Sequence, residues 1–174
     1  MPSLTVTFDF ASDAQGFAPV PNGPLTVMSY DASDGNPPGS LKSRLAGKNA
    51  SESSNAWRRE MTFEEMGIPA GSTITGVHSA SLQSKCTEFN HAGRCKRGPV
   101  IMTGGFTQFN LANEAYFRGV DADWVTSTGD DTIFSAPSSQ ASSIAIFNDL
   151  ATGGSNDAAV SLLQDQLTFT IEYV

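Results

Sequence analysis

The sequence predicts an all-β protein, an antiparallel β-sandwich of the jelly-roll type, formed as a single domain by residues 1–174. Three observations support this prediction. Charged residues make up only 16% of the chain, whereas 16 Gly and 9 Pro provide many turn positions. Apolar and polar residues alternate at both ends of the chain, and no segment shows a sustained helical stripe.

The two ends of the chain give the clearest strand signals. Near the N-terminus, alternate apolar side chains share one face: Leu4, Val6, Phe8 and Phe10. The same alternation recurs at the C-terminus: Leu167, Phe169, Ile171 and Tyr173. Weaker signals lie near residues 25–31, 40–45, 57–63, 73–84, 99–109, 132–135 and 143–148. Short strands without intervening helices favour two packed sheets, and we place Phe106 and Phe147 among the aromatic residues between them.

The charge distribution limits the kinds of partner. The net charge is −8, all ten Lys and Arg lie within residues 1–118, and residues 119–174 hold eight of the eighteen acids. Nucleic acid is therefore not expected as a partner, because phosphate binding needs a basic surface. No apolar run reaches the length of a membrane span, and the N-terminus shows no secretory signal, so we expect no membrane association.

One basic cluster stands out in this acidic chain. It consists of Lys85, Arg94, Lys96 and Arg97. We expect an exposed loop that docks on an acidic partner, such as the acidic third of another copy. The alternative is a loop that only contacts solvent.

Two cysteines bracket the same region. The Gly-containing segment between Cys86 and Cys95 predicts a hairpin or loop, whose base is closed by a disulfide or by a close thiol pair. Zinc is the alternative, with His78 and His91 as further ligands. The paired Cys-x-x-Cys spacing of zinc sites is missing, which weighs against that alternative.

A sugar-binding surface needs exposed aromatic rings beside hydrogen-bonding side chains. Tyr116 and Trp124 provide rings outside the clearest core positions, and Asp121 and Asp123 lie beside them in the sequence. We therefore take these four residues as a candidate glycan-binding set. The alternative for Trp124 is packing over an edge of the sandwich.

We expect no enzymatic activity. A pair of carboxylates for glycoside hydrolysis would have to come from Glu60 and Glu172, which lie opposite the apolar faces of their predicted strands. The two histidines, His78 and His91, lack the G-x-S-x-G context of a serine hydrolase. No catalytic residue is therefore assigned.

Four sequence segments resemble segments of known protein families. In chain order they are FDFASDAQGF, YDASDGNPPGSLKSRL, TFEEMGIPAGSTITGV and SLLQDQLTFTIEYV. This order resembles the galactose-binding-like and carbohydrate-binding-module jelly rolls, and the phrase around Gly67–Val77 is similar to one in jelly-roll proteins of tailed bacteriophage particles. The phrases also have structural roles, since Pro37, Pro38 and Gly39 preset a turn before a strand.

The resemblance implies a bacteriophage virion protein of the capsid decoration or cement type, which binds and stabilises the shell. Its partners would be the major capsid protein or other virion subunits. It would self-associate, as a trimer in the simplest case, and lie in the virion after synthesis in the host cytoplasm. The alternative is a carbohydrate-binding module, or a virion component that recognises glycans, with an extracellular location.

The resemblance also implies a structural calcium ion between the opening and closing strands, and no other cofactor. Its ligands would be Asp9 and Asp165, with Asp13 completing the shell. Counting back in twos from Leu167 places Asp165 on the inward face, where a carboxylate needs a partner. The alternative partner is a backbone amide or an arginine.

Overall fold

The computed structural model describes residues 1–10, 14–20, 26–31, 40–121 and 123–174. The strands found in these residues are β1 (Ser3–Asp9), β2 (Ala18–Val20), β3 (Thr26–Asp31), β4 (Ser40–Ala46), β5 (Ser51–Thr62), β6 (Thr73–Asn90), β7 (Ala92–Gly104), β8 (Thr107–Ala112), β9 (Ala115–Phe117), β10 (Val125–Thr128), β11 (Thr132–Pro137), β12 (Ala141–Thr152) and β13 (Ala159–Tyr173). No helix in the described ranges is long and apolar enough to span a lipid bilayer.

The strands form two antiparallel sheets. The seven-stranded sheet follows the order β10-β6-β13-β4-β3, with β1 also paired to β13 and β11 to β6. The six-stranded sheet follows the order β2-β5-β12-β7-β8, with β9 also paired to β7. Long consecutive strands lie in different sheets, as β6 and β7 do, so the chain crosses repeatedly between the layers. The predicted fold class, an all-β antiparallel sandwich of the jelly-roll type, is confirmed.

The terminal strands pair with each other as regular antiparallel neighbours. Val6 lies opposite Phe169, and Phe8 lies opposite Leu167. All four side chains are buried, as their alternation in the sequence predicts. The two chain ends therefore close one side of the main core together.

The apolar core is divided into two clusters. The larger cluster includes Phe8, Phe63 and Phe169, and the smaller one includes Cys86 and Cys95. A layer of buried polar residues, one on each of five long strands, separates them: Ser43 (β4), Ser84 (β6), Arg97 (β7), Asn148 (β12) and Gln164 (β13). The amide of Asn148 bridges the two sheets by donating to Ser43 Oγ at 2.9 Å and accepting from Gln164 Nε2 at 3.2 Å.

Two sequence-based expectations about this part of the fold are wrong. Phe106 is fully exposed in the turn between β7 and β8, where Gly104 and Gly105 precede it, instead of lying in the core. The segment from Lys85 to Arg97 is also not a loop. It is the end of β6 and the start of β7, which meet at a corner at His91, where φ is 46°. The corner carries the chain from one sheet to the other.

Candidate functional site

A line of irregular pairing crosses the six-stranded sheet. The register of β7 with β12 shifts between Ile146 and Asn148, opposite the Gly98–Pro99 segment. On the other side of β7, pairing with β8 ends at Val100, and pairing with β9 begins only at Arg97. Proline has no N–H to donate to a neighbouring strand, so Pro99 favours a bulge here. Because the neighbouring strands break at the same level, the sheet is indented there.

The indentation forms an open groove of about 430 Å³ on the sheet. Its apolar lining consists of Gly98, Pro99, Ile101 and Phe147, and polar residues surround it: Ser53, Lys96, Gln108, Glu114, Asn148 and Asp149. The side chain of Asn148 is directed between the sheets, where it contacts Ser43 and Gln164. Gly98 keeps the floor open, because a Cβ atom there would lie 3.2 Å from the Cβ of Phe147. Phe147 is only half-buried, so it contributes to the groove and not to the core predicted for it.

A row of side chains borders the groove on four neighbouring strands. Lys96 on β7 lies opposite Tyr116 on β9 and opposite Asp149 on β12, which in turn lies opposite Ser53 on β5. Tyr116 is 64% exposed, and the Nζ atom of Lys96 lies 5.1 Å from the centroid of its ring. The lysine thus steadies the ring from the side of β7 while much of the ring remains open to solvent.

Ion pairs hold the polar side chains of this row in place. Asp149 Oδ1 accepts from Arg94 Nη2 at 2.8 Å and from Ser53 Oγ at 3.0 Å. Lys96 Nζ lies 2.6 Å from Glu114 Oε1, and this hydrogen bond is the main reason why the pKa of Lys96 is raised. The groove therefore presents ordered donors and acceptors around an apolar floor.

Arg97 lies beneath the groove and forms part of its framework. It is fully buried, and it donates to the carbonyl of Gly98 at 2.8 Å and to the carbonyl of Asn113. These carbonyls belong to the bulge and to the break between β8 and β9, so Arg97 satisfies groups that regular pairing leaves free there. Burial lowers the pKa of Arg97 to about 10, which still leaves the guanidinium protonated at neutral pH.

The basic cluster expected from the sequence is not one exposed patch. Arg97 is buried, and Lys85 lies on the other sheet, in β6. Arg94 and Lys96 do lie together on the six-stranded sheet, but each is already paired with a carboxylate of the same chain. Since Asp149 belongs to the acidic third of the sequence, part of the expected charge attraction occurs within the chain.

The four residues of the predicted glycan-binding set are also divided. Tyr116 lies next to the groove as the cross-strand neighbour of Lys96, and it lines an adjoining depression. Trp124 is half-buried, with Lys85 Nζ 6.0 Å from its ring. Asp121 extends the edge of β6, because its carboxylate accepts from the backbone N–H of Cys86 at 3.0 Å. Asp123 is exposed. None of the four lines the groove itself, and Tyr116 adjoins it through its neighbour Lys96.

The predicted calcium site is not supported. Asp165 is buried as predicted, at 7% exposure, but Asp9 is exposed on β1. The backbone carbonyl of Asp165 accepts from the N–H of Phe10 at 2.8 Å. Among the described residues, no three His, Cys, Asp or Glu side chains gather as metal ligands, and Asp13 lies outside them.

Among the residues that the structure describes, the two cysteines and two histidines do not gather as zinc ligands. The two histidines lie beside acids elsewhere. His78 Nε2 is 3.5 Å from Glu172 Oε1, and His91 Nε2 is 3.8 Å from Asp157 Oδ1.

Cys86 and Cys95 form a close pair of free thiols and not a disulfide. They extend from the inner faces of opposite sheets and share a hydrogen bond. That bond lowers the pKa of Cys86 and, together with burial, raises the pKa of Cys95. Of the two alternatives open from the sequence, the structure therefore has the thiol pair.

Sequence reasoning missed most of the groove, although one signal was available. Gly98-Pro99 stands between the charged residues Lys96 and Arg97 and the apolar segment that begins at Val100, and proline inside a strand typically marks a bulge. No comparable signal identifies Gln108 or Ser53 as part of the groove, because their positions depend on the register of neighbouring strands.

No protein-family model matches this chain, and no curated protein sequence matches it. Among solved structures, the chain is similar to a family 11 carbohydrate-binding module from Clostridium thermocellum in complex with a β-1,3-1,4-mixed-linked tetrasaccharide. The TM-score is 0.42 with 8% sequence identity, and the alignment covers 95% of this chain and 94% of that chain. The function proposed below rests on the residues of this chain alone.

Proposed function

We propose that this protein is a non-catalytic recognition domain that binds a glycan in the groove of its six-stranded sheet. The observation that supports this proposal is the combination of an open apolar floor, an exposed Tyr116 ring and a border of ordered polar side chains. The volume of about 430 Å³ lies within the range of small-molecule sites, roughly 300–1,000 Å³.

The chemistry of the groove suits a sugar. The faces of a pyranose ring carry C–H groups, which pack on an aromatic ring such as Tyr116. The hydroxyl groups around the edge of the sugar ring donate and accept hydrogen bonds. The amide of Gln108 and the carboxylates of Glu114 and Asp149 provide complementary groups. A short glycan therefore satisfies both parts of the groove at once.

The two carboxylates at the groove are held in ion pairs. Lys96 engages Glu114, and Arg94 engages Asp149. A carboxylate that is held in place in this way can accept hydrogen bonds from sugar hydroxyls. The virion role and location expected from the sequence remain predictions about other contacts of the chain.

The proposal is tested by affinity electrophoresis of the protein through gels that contain different polysaccharides. We expect retardation by at least one polysaccharide, and we expect Tyr116→Ala to weaken that binding about tenfold, equivalent to about 1.4 kcal/mol. Gly98→Val should act in the same direction because its side chain fills the floor of the groove.

Trp124→Ala is the matched control, since it removes an aromatic residue away from the groove and should leave retardation unchanged. Two results would overturn the proposal: no retardation across the panel, or equal losses in Tyr116→Ala and Trp124→Ala.

A further inference from the structure

A second depression lies next to the groove, where β9 ends. It has a volume of about 290 Å³, and its polar lining comes from Arg94, Tyr116 and Arg118. It adjoins the groove because Arg94 is two residues from Lys96 on β7, and because Tyr116 is the cross-strand neighbour of Lys96. Gly93 keeps part of it open, since a Cβ atom there would meet only backbone oxygens, at 3.9 Å.

The second depression carries two guanidinium groups, and the described residues that line it include no Asp or Glu. Arg94 is paired with Asp149, which lies outside this lining, whereas Arg118 has no ion pair among the described residues, in a chain whose net charge is −8. Continuing the β7–β9 register by one step beyond Cys95 and Phe117 brings Arg94 and Arg118 opposite each other. Like charges at opposite positions repel unless an anion lies between them.

Both arginines have N–H donors that make no hydrogen bond with the described residues. Arg94 uses Nη2 for Asp149, while its Nε–H is buried and has no acceptor within the described residues. Arg118 is exposed and makes no ion pair or hydrogen bond with any described residue. The Arg94 side chain as a whole is 41% exposed, so an incoming anion can approach it from solvent. Planar guanidinium groups match the paired oxygens of a carboxylate or a sulfate.

We propose that the glycan bound by this protein is acidic: a sugar that carries a carboxylate or a sulfate places this group between Arg94 and Arg118 and its ring against Tyr116. This inference rests on the proposed glycan binding and specifies the class of ligand. Arg118 supplies most of the selectivity, because its charge is not neutralised by the chain. Arg94 contributes positive charge on the other side of the anion while remaining paired with Asp149.

The test compares matched pairs of ligands by isothermal titration calorimetry. The probes are tetrasaccharides of galacturonate and of alginate, each with its carboxyl-reduced form, and a heparin tetrasaccharide with its desulfated form. We expect at least one acidic probe to bind ten times more tightly than its neutral partner at low salt. The advantage should shrink as the salt concentration rises, because the contact is partly exposed. The uronate and heparin pairs show whether the anion is a carboxylate or a sulfate.

Arg118→Gln should reduce binding of the acidic probe to the level of its neutral partner without changing the affinity for the neutral one. Arg58→Gln is the matched control, because Arg58 is also exposed on the six-stranded sheet but lines neither depression. Equal affinities for acidic and neutral probes, or no effect of Arg118→Gln, would overturn the acidic-ligand proposal while leaving glycan binding intact. No binding of any probe, together with no retardation by any polysaccharide, would overturn both proposals.

Discussion

The two apolar clusters of the core differ in size, in composition and in the strands that enclose them. The larger cluster is rich in aromatic residues and is closed by the regular pairing of β1 with β13. The smaller cluster consists mainly of aliphatic side chains around the two thiols, and β9 covers it with Phe117. The groove lies near the boundary between the clusters, where pairing is irregular.

The buried polar layer explains why this boundary is irregular. On β4 the inward positions are Leu41, Ser43 and Leu45, so a single polar residue separates a member of each cluster. The same interruption occurs on β12, where Asn148 lies between Ile146 and Leu150. Asn148 bonds Ser43 and Gln164 across the sandwich, and Arg97 bonds carbonyls of its own sheet. These contacts constrain the register of several strands at one level. The larger cluster thus provides stability, and the boundary provides the shape of the binding face.

The largest expected effect tests the larger cluster. Phe169→Ala should lower the free energy of unfolding by about 3–5 kcal/mol, because the ring is fully buried, with Phe8 at a centroid distance of 6.2 Å. Urea denaturation followed by circular dichroism measures the loss. Phe106→Ala is the control and should stay within about 0.5 kcal/mol, because that ring is exposed. Similar losses in both variants would contradict the assignment of the core.

A smaller loss in the free energy of unfolding is expected at the boundary between the two apolar clusters. Arg97→Met removes the donors to the carbonyls of Gly98 and Asn113, and we expect a loss of roughly 1–3 kcal/mol. Relief of a desolvated charge offsets part of the cost. Arg58→Met is the exposed control on the same sheet and should stay within about 0.5 kcal/mol.

The same variant separates stability from binding. Because Arg97 holds the bulge in place, Arg97→Met should also weaken retardation by polysaccharide under conditions in which the variant is fully folded. If binding were unchanged in a folded Arg97→Met protein, the polar layer would not shape the groove, and the contrast between the clusters would concern stability only.

The sequence predicts the larger cluster much better than the boundary. Alternation of period two identifies Phe8 and Phe169 directly, since both lie on strands with one solvated face. The burial of Arg97 could not be predicted, because the pattern around it shows a run of charges, and because one of the carbonyls that it satisfies belongs to Asn113, in the break between β8 and β9. The prediction for Phe106 is wrong in the opposite direction, because this residue was expected in the core and is exposed. An aromatic residue suggests a core position, but in the turn between β7 and β8 no sheet covers it.

The smallest change in the free energy of unfolding is expected outside the smaller cluster. A row of polar side chains crosses three strands there. Ser161 on β13 lies opposite Arg44 on β4 and opposite Glu88 on β6. The Glu88 carboxylate accepts from Arg44 Nε at 2.7 Å, from Arg44 Nη2 at 3.1 Å and from Ser161 Oγ at 3.0 Å. The hydrogen bonds from Arg44 are the main reason why the pKa of Glu88 is lowered in the folded protein.

A lowered pKa of a carboxyl group links stability to pH in one direction. The folded state favours the ionised form, so the stabilisation is fully present above the pKa of the unfolded chain and disappears as the pH falls through the folded value. The side chains are about one-third exposed, which limits the contribution to about 0.5–1 kcal/mol. Glu88→Gln should therefore be less stable than the wild type at pH 7, and the difference should shrink as the pH falls below the pKa of the unfolded carboxyl group, as measured by urea denaturation at each pH. Glu60→Gln, an exposed glutamate without an ion pair among the described residues, should show no such convergence. If the difference in free energy of unfolding between wild type and Glu88→Gln persisted at low pH, the glutamate would stabilise the contact among β4, β6 and β13 through packing, and not through its charge.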